Sequence, residues 1–163
     1  MQKKINFTAL ILVFAVLFSS CAKKNYRDDI SCAELADNAA KAAEDAGEYA
    51  KYDADFLKYN FADTNIPRDF AIAYTVETNN INEIGVFRAP DKNSVTQLKA
   101  LVISYLDTMR SEKTAFIASY APEEVPKLSD AEVKTFGKYV VYLILDKEDR
   151  DRAFAKIEEM LSK

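Results

Sequence analysis

The 163-residue chain contains no histidine, only two cysteines, three glycines and four prolines. Without histidine there is no Ser-His or Cys-His nucleophile system, no histidine-ligated zinc and no ordinary neutral-pH base. Three glycines leave no room for a phosphate-cradling loop. Two cysteines, Cys21 and Cys32, cannot build a thiolate cluster. If Cys21 is modified, Cys32 has no partner for an intramolecular disulfide. Cys32 falls inside the first predicted helix and reads as a buried, inert thiol. The charge balance, 22 Lys and Arg against 26 Asp and Glu, shows no basic stripe, so nucleic acid is not an expected partner. No motif calls for a cofactor.

What is present begins at the amino terminus. MQKK supplies a basic start, and Ala9 to Phe18 is a short apolar run. A membrane-crossing helix needs about 20 apolar residues, roughly twice this length. Basic start, short apolar core and small residues together make a secretory signal. Leu17-Phe18-Ser19-Ser20-Cys21 resembles the lipobox of bacterial lipoprotein precursors. The resemblance implies cleavage before Cys21, a diacylglycerol on its sulfur, often an acyl group on its amine, and an extracytoplasmic protein held on the cell membrane. Phe18 departs from the commoner leucine. Stable anchoring takes two or more acyl chains, at ~0.8 kcal/mol per buried methylene. The expected organisation is a signal over residues 1–20, a polar tether over 21–30 and one domain over 31–163. Removing Lys3 and Lys4 with the signal changes the net charge from −4 to −6. Lys23, Lys24 and Arg27 are then placed for attraction to anionic headgroups, with simple solubility of a tether as the equal alternative.

Periodicity orders the rest. Ser31 and Glu34 have capping-box spacing, with Ile30 and Leu35 placed as a hydrophobic staple. The Ala-rich helix they open is expected to reach Ala46, with Gly47 ending it. Tyr49, Tyr52, Phe56 and Tyr59 recur at helical spacing and read as the core face of a second helix, with a ligand-binding stripe as the alternative. Strands follow at Asp69–Glu77 and Asn82–Ala89, joined by a turn at Asn79-Asn80. Ser94 and Gln97 form another capping box, opening a long helix with the stripe Val95, Leu98, Val102, Tyr105, Met109, Phe116 and Tyr120. An irregular stretch precedes strands at Glu132–Phe136 and Tyr139–Leu145. The second of these is apolar on both faces and so is expected to be central. Asp146 can cap a last helix carrying Phe154, Ile157 and Leu161. The fold expected is α+β: N-terminal helices, then ββαββα, with helices packed on an antiparallel sheet.

The carboxylates offer little chemistry. Asp53-Ala54-Asp55 starts like a calcium loop, but Lys58 stands where that loop needs glycine. Asp146, Glu148, Asp149 and Asp151 sit at a helix start, where acids favour the helix dipole. No metal site and no catalytic residue is nominated. The candidate interaction surface is Arg110, Tyr120, Pro122 and Glu124. There Arg110 can clamp a carboxylate or phosphate and Tyr120 can supply contact area. The plainer alternative makes Tyr120 a helix-end anchor, Pro122 a stop and Glu124 a loop cap.

Four stretches taken in order resemble the DUF4358 lipoproteins of Firmicutes. They are Asn82-Glu83-Ile84, Met109-Arg110, Tyr120-Ala121-Pro122-Glu123-Glu124 and Gly137-Lys138-Tyr139-Val140. The resemblance runs from about Tyr52 to Phe154 and implies location and fold, since the family brings no catalytic residues. Three functions follow as expectations. The first is a lipid-anchored, non-enzymatic envelope module that binds an envelope protein or surface polymer. The second is an accessory or carboxylate-based enzyme of surface-polymer modification. The third is a small-ligand binder or sensor.

Overall fold

The structure, a computed structural model, describes residues 24–43, 47–62, 65 and 67–163. In chain order its elements are α1 (Cys32–Ala42), β1 (Tyr49–Lys51), α2 (Ala54–Asn60), β2 (Asp69–Thr75), β3 (Glu83–Arg88) and α3 (Val95–Tyr120). A 3-10 turn (Pro122–Glu124), α4 (Val125–Ser129), β4 (Glu132–Phe136), β5 (Tyr139–Ile144) and α5 (Lys147–Leu161) complete the chain. The five strands form one antiparallel sheet in the order β1-β2-β3-β5-β4. The α+β arrangement is therefore the one expected, with an edge strand and two short helices added.

Helices cover both faces of this sheet. On one face Ala71, Ala73, Ile84, Val86, Val141 and Leu143 join side chains of α1 and α5 in a buried core. Ala36 and Ala39 of α1 belong to that core beside the alanines of β2, and such small side chains let a helix approach the strands closely. On the other face Ile72, Phe87, Val140, Tyr142 and Ile144 pack with Leu57 of α2, Leu98, Val102 and Leu106 of α3, and Leu128 of α4. Every residue of β5 is buried, as its two apolar faces require. The β4–β5 hairpin turns at Gly137, whose φ of 61° favours glycine.

Several local expectations change. Ser31 does cap α1, accepting from Glu34 N at 3.2 Å, and Ile30 and Leu35 are buried in one core. The helix ends at Ala42, and residues 44–46 lie outside the described residues. The aromatic run is not one helix: Tyr49 is in β1 and Tyr52 in the link, while α2 holds Phe56 and Tyr59. The strand pairing of β1 with β2 overrides the helical spacing, sending Tyr49 to one core and Tyr52 and Phe56 to the other. Tyr59 is exposed. Ser94 makes no side-chain cap; Asp91 Oδ1 instead accepts from Asn93 N, Ser94 N and Ser94 Oγ at 2.8, 2.9 and 3.1 Å. Asp146 occupies the N-cap position of α5 without a side-chain bond, its carboxylate lying 3.4 Å from Lys127 Nζ. The irregular stretch before β4 contains the 3-10 turn and α4.

The stripe of α3 also stops short. Leu98, Val102, Tyr105 and Leu106 are buried, whereas Phe116 and Tyr120 are exposed and Ile117 is buried instead. Twenty-six helical residues extend about 39 Å, while a seven-residue strand spans about 23 Å. The helix outruns the sheet, and past that edge the segment of the 3-10 turn and α4 packs on it, on the side of Ile117.

Candidate functional site

The four predicted surface residues divide. Arg110 spends its guanidinium inside the fold, donating from Nε to Leu128 O at 3.2 Å and from an Nη to Ala131 O at 2.9 Å, with Asp107 at 3.0 Å. Glu124 is buried: it pairs with Lys127 at 2.9 Å and accepts from Ile81 N at 3.0 Å. Both hold loops in place. Pro122 opens the 3-10 turn in an exposed position. Tyr120 is half-exposed, its ring 4.9 Å from that of Phe116, which is 65 % exposed. What remains exposed of the predicted surface is Tyr120 and Pro122, and Phe116, expected only as part of the stripe of α3, joins Tyr120 in an exposed aromatic pair.

Beneath α3 lies a polar centre that the sequence reading missed. Glu83 is fully buried and accepts from Tyr105 Oη at 2.9 Å and Tyr142 Oη at 2.5 Å. Burial pushes its carboxyl up to about 6, against the pull of the two phenols. Burial likewise raises Tyr105 and Tyr142, and the Glu83 charge adds to it. Tyr142 stands opposite Gly85 in the β3–β5 register, and its ring fills the space a Cβ at Gly85 would take. Tyr52 stacks between Phe56 and Tyr74 at 3.7 and 4.1 Å, with Phe56 edge-on to Tyr105. Tyr49, Tyr52 and Phe56 are therefore packing residues, as the core reading expects, with Tyr52 and Phe56 near this carboxylate and Tyr59 left exposed. One signal is in the sequence: a glutamate and a glycine, two apart, on the strand face that they share with Phe87.

The acids considered for metal have other partners. Asp53 caps α2 through Asp55 N and Phe56 N at 3.0 and 3.3 Å, and Asp55 pairs with Lys58 at 2.6 Å. Asp149 is buried and pairs with Arg152, and Asp151 pairs with Lys147 at 2.7 Å. Among the described residues no three His, Cys, Asp or Glu side chains are grouped to hold a metal ion. Cys32 is fully buried, and burial together with nearby Asp69 pushes its thiol up.

The clearest unanticipated geometry is at the amino-terminal end. Cys21 lies outside the described residues. From Lys24 onward, however, the expected tether is docked on the domain. Tyr26 forms a β-bridge with Ser162, and Arg27 N donates to Leu161 O at 2.9 Å. The Tyr26 ring meets Phe136 edge-on at 5.6 Å, and its hydroxyl donates to Glu158 at 3.0 Å, beside the Lys24–Glu158 ion pair. Asp28 pairs with Lys138 at 2.6 Å, Arg88 donates to Asp28 O at 2.8 Å, and Tyr139 Oη donates to Ile30 O at 2.6 Å. Removing the aromatic contact loosens this strap. Tyr26→Ala is expected to speed tryptic cleavage after Lys24 and Arg27 about tenfold, with the folded core intact. Cleavage at the wild-type rate would mean that Tyr26 does not hold the segment.

A five-stranded antiparallel sheet covered by helices on both faces defines an α+β domain. Within that class the chain belongs to the family described as the domain of unknown function DUF4358, whose model matches residues 40–145. Comparison with curated proteins and with solved structures gives no match.

Proposed function

We propose that this protein is a lipid-anchored, extracytoplasmic module of the cell envelope that binds a partner instead of turning over a substrate. The observation that carries the reading is the docked strap. Only Ala22 and Lys23 separate Cys21 from Lys24, and three residue steps span at most about 10 Å. An acyl-bearing Cys21 would therefore hold the domain close against the bilayer in one orientation. The strap crosses the sheet beside Gly137 and Arg88, at the end where α3 begins. The exposed pair Phe116 and Tyr120 sits about 32–38 Å further along α3 from that end. Aromatic side chains of this kind make good anchors for an envelope protein or surface polymer.

Labelling cells with a fatty-acid analogue tests the anchor. Wild-type protein is expected to take the label and Cys21→Ala to lose it completely. Label retained in Cys21→Ala would overturn the anchor. Turnover of an envelope polymer by the pure protein would overturn the binding role in favour of the enzyme reading.

A further inference from the structure

We infer that a cationic trough beside the strap seats the phosphates of anionic lipid headgroups, laying this face of the domain on the bilayer. Two hollows of about 630 and 200 Å³ adjoin there, sharing Asp28 and Lys138 in their walls. Lys24 and Lys92 line the larger, and Arg68 and Arg88 the smaller. Five cations against one lining acid is a sharp local departure for a chain of net charge −4. Two of them keep their charge uncommitted among the described residues: Arg68 and Lys92 are exposed and form no ion pair there. Arg88 donates to Asp28 O, lies 3.5 Å from Asp69, and keeps a buried Nε without a hydrogen bond. The one acid of the walls, Asp28, pairs with Lys138 at 2.6 Å, which leaves the other four cations for an incoming anion or for acids outside the walls.

Phosphate suits this site in charge and in its need for several donors, since guanidinium groups bind it through paired hydrogen bonds. The source follows from where the chain leads. Lys24, in the trough wall, is three residues from Cys21, so headgroup phosphates are the anions nearest to hand. This choice of source rests on the anchor reading; the trough itself does not.

The test uses the full chain in nonionic detergent micelles, with its thermal midpoint read as lipid is added. Phosphatidylglycerol is expected to raise the midpoint and phosphatidylcholine to leave it unchanged. Arg68→Gln with Lys92→Gln, which breaks no ion pair among the described residues, should weaken the apparent affinity on the order of tenfold. Lys41→Gln with Lys113→Gln makes the same charge change outside the trough and should leave binding as it was. Asp28→Asn removes the resident carboxylate and should tighten binding. Equal weakening by both double variants would reduce the effect to net charge and overturn the site. Full saturation by glycerol 3-phosphate, with no gain from phosphatidylglycerol, would overturn the membrane as its source. A Cys21→Ala chain that escapes acylation yet still responds to phosphatidylglycerol would uphold the trough; fatty-acid label persisting on Cys21→Ala would remove only the anchor.

Discussion

Gly85→Ala is expected to destabilise the protein by about 4 kcal/mol, read as a lower urea midpoint at unchanged slope. A Cβ at residue 85 would stand 1.9 Å from Tyr142 Cε1 and 2.4 Å from its Cζ. Those are ring atoms in the middle of a packed face, with Phe87 and Tyr105 at ring-centroid distances of 6.1 and 5.6 Å. The ring cannot swing aside freely. Overpacking of this kind costs about 1–3 kcal/mol, and moving the ring also pulls its hydroxyl from the buried carboxylate, about 1.5–3 kcal/mol more. The loss would be a large part of a total stability of about 5–15 kcal/mol. Tyr142→Val removes the clashing atoms, so Gly85→Ala added to it should cost less than half as much. A coupling of at least about 2 kcal/mol in the cycle identifies the ring as the cause; additive costs would place the damage in the strand backbone.

The second expected result is a stability that falls as pH rises through mildly acidic values. Burial lifts the Glu83 carboxyl from the ordinary 4.5 to about 6, so the folded protein holds this proton more tightly than the unfolded chain. The folded state then binds more protons between those two values, and stability decreases with rising pH. The contribution is complete below about pH 4.5 and gone above about pH 6, and it amounts to about 2 kcal/mol. Asp28, Asp29, Asp91, Asp151 and Glu158 are held below their ordinary values by hydrogen bonds and cations. Their stabilisation is present above the ordinary carboxylate range and is lost as pH falls, which places it on the acid side of the Glu83 window. Glu83→Gln keeps an acceptor for the phenols and carries no proton. Denaturant unfolding of that variant should show a flat profile between about pH 4.5 and 6. A slope that survives the substitution would assign the proton elsewhere.

Much of this architecture can be read in the residues themselves. Alternation in β2 and β3 and the long stripe of α3 mark the sheet and its covering helix, and the doubly apolar β5 marks a strand covered on both faces, although β3 and not β5 holds the middle of the sheet. The failures share a cause. Tyr49, Tyr52, Phe56 and Tyr59 have helical spacing, yet β1 pairs with β2 and divides them between two cores. Phe116 and Tyr120 continue a helical stripe, yet the sheet ends before they reach it. Spacing along the chain records which side chains share a face, and nothing in it records where the opposing surface stops. Glu83 escaped notice for a related reason. A single carboxylate in a strand reads as a solvent-facing residue until α3 is seen to lie over it with Tyr105. Of the predicted surface, Arg110 and Glu124 are internal braces because their partners, Leu128 O and Lys127 of α4 and Ala131 O and Ile81 N of loops, lie in segments whose path the sequence does not fix.

The bridge between Tyr26 and Ser162 has a practical side. Because the strap and the last turn of α5 are stitched together, the described residues nearly close a ring, with Tyr26 and Ser162 side by side on one flank. A reporter appended after Lys163 would crowd the same flank as Lys24 and Tyr26 and strain the bridge between them and α5. The exposed turn at Thr78-Asn79 is free of that conflict and offers an insertion point for epitopes or fluorophores. The same adjacency makes residues 24 and 163 natural partners for a short peptide splice, so the domain could be reopened elsewhere as a circular permutant.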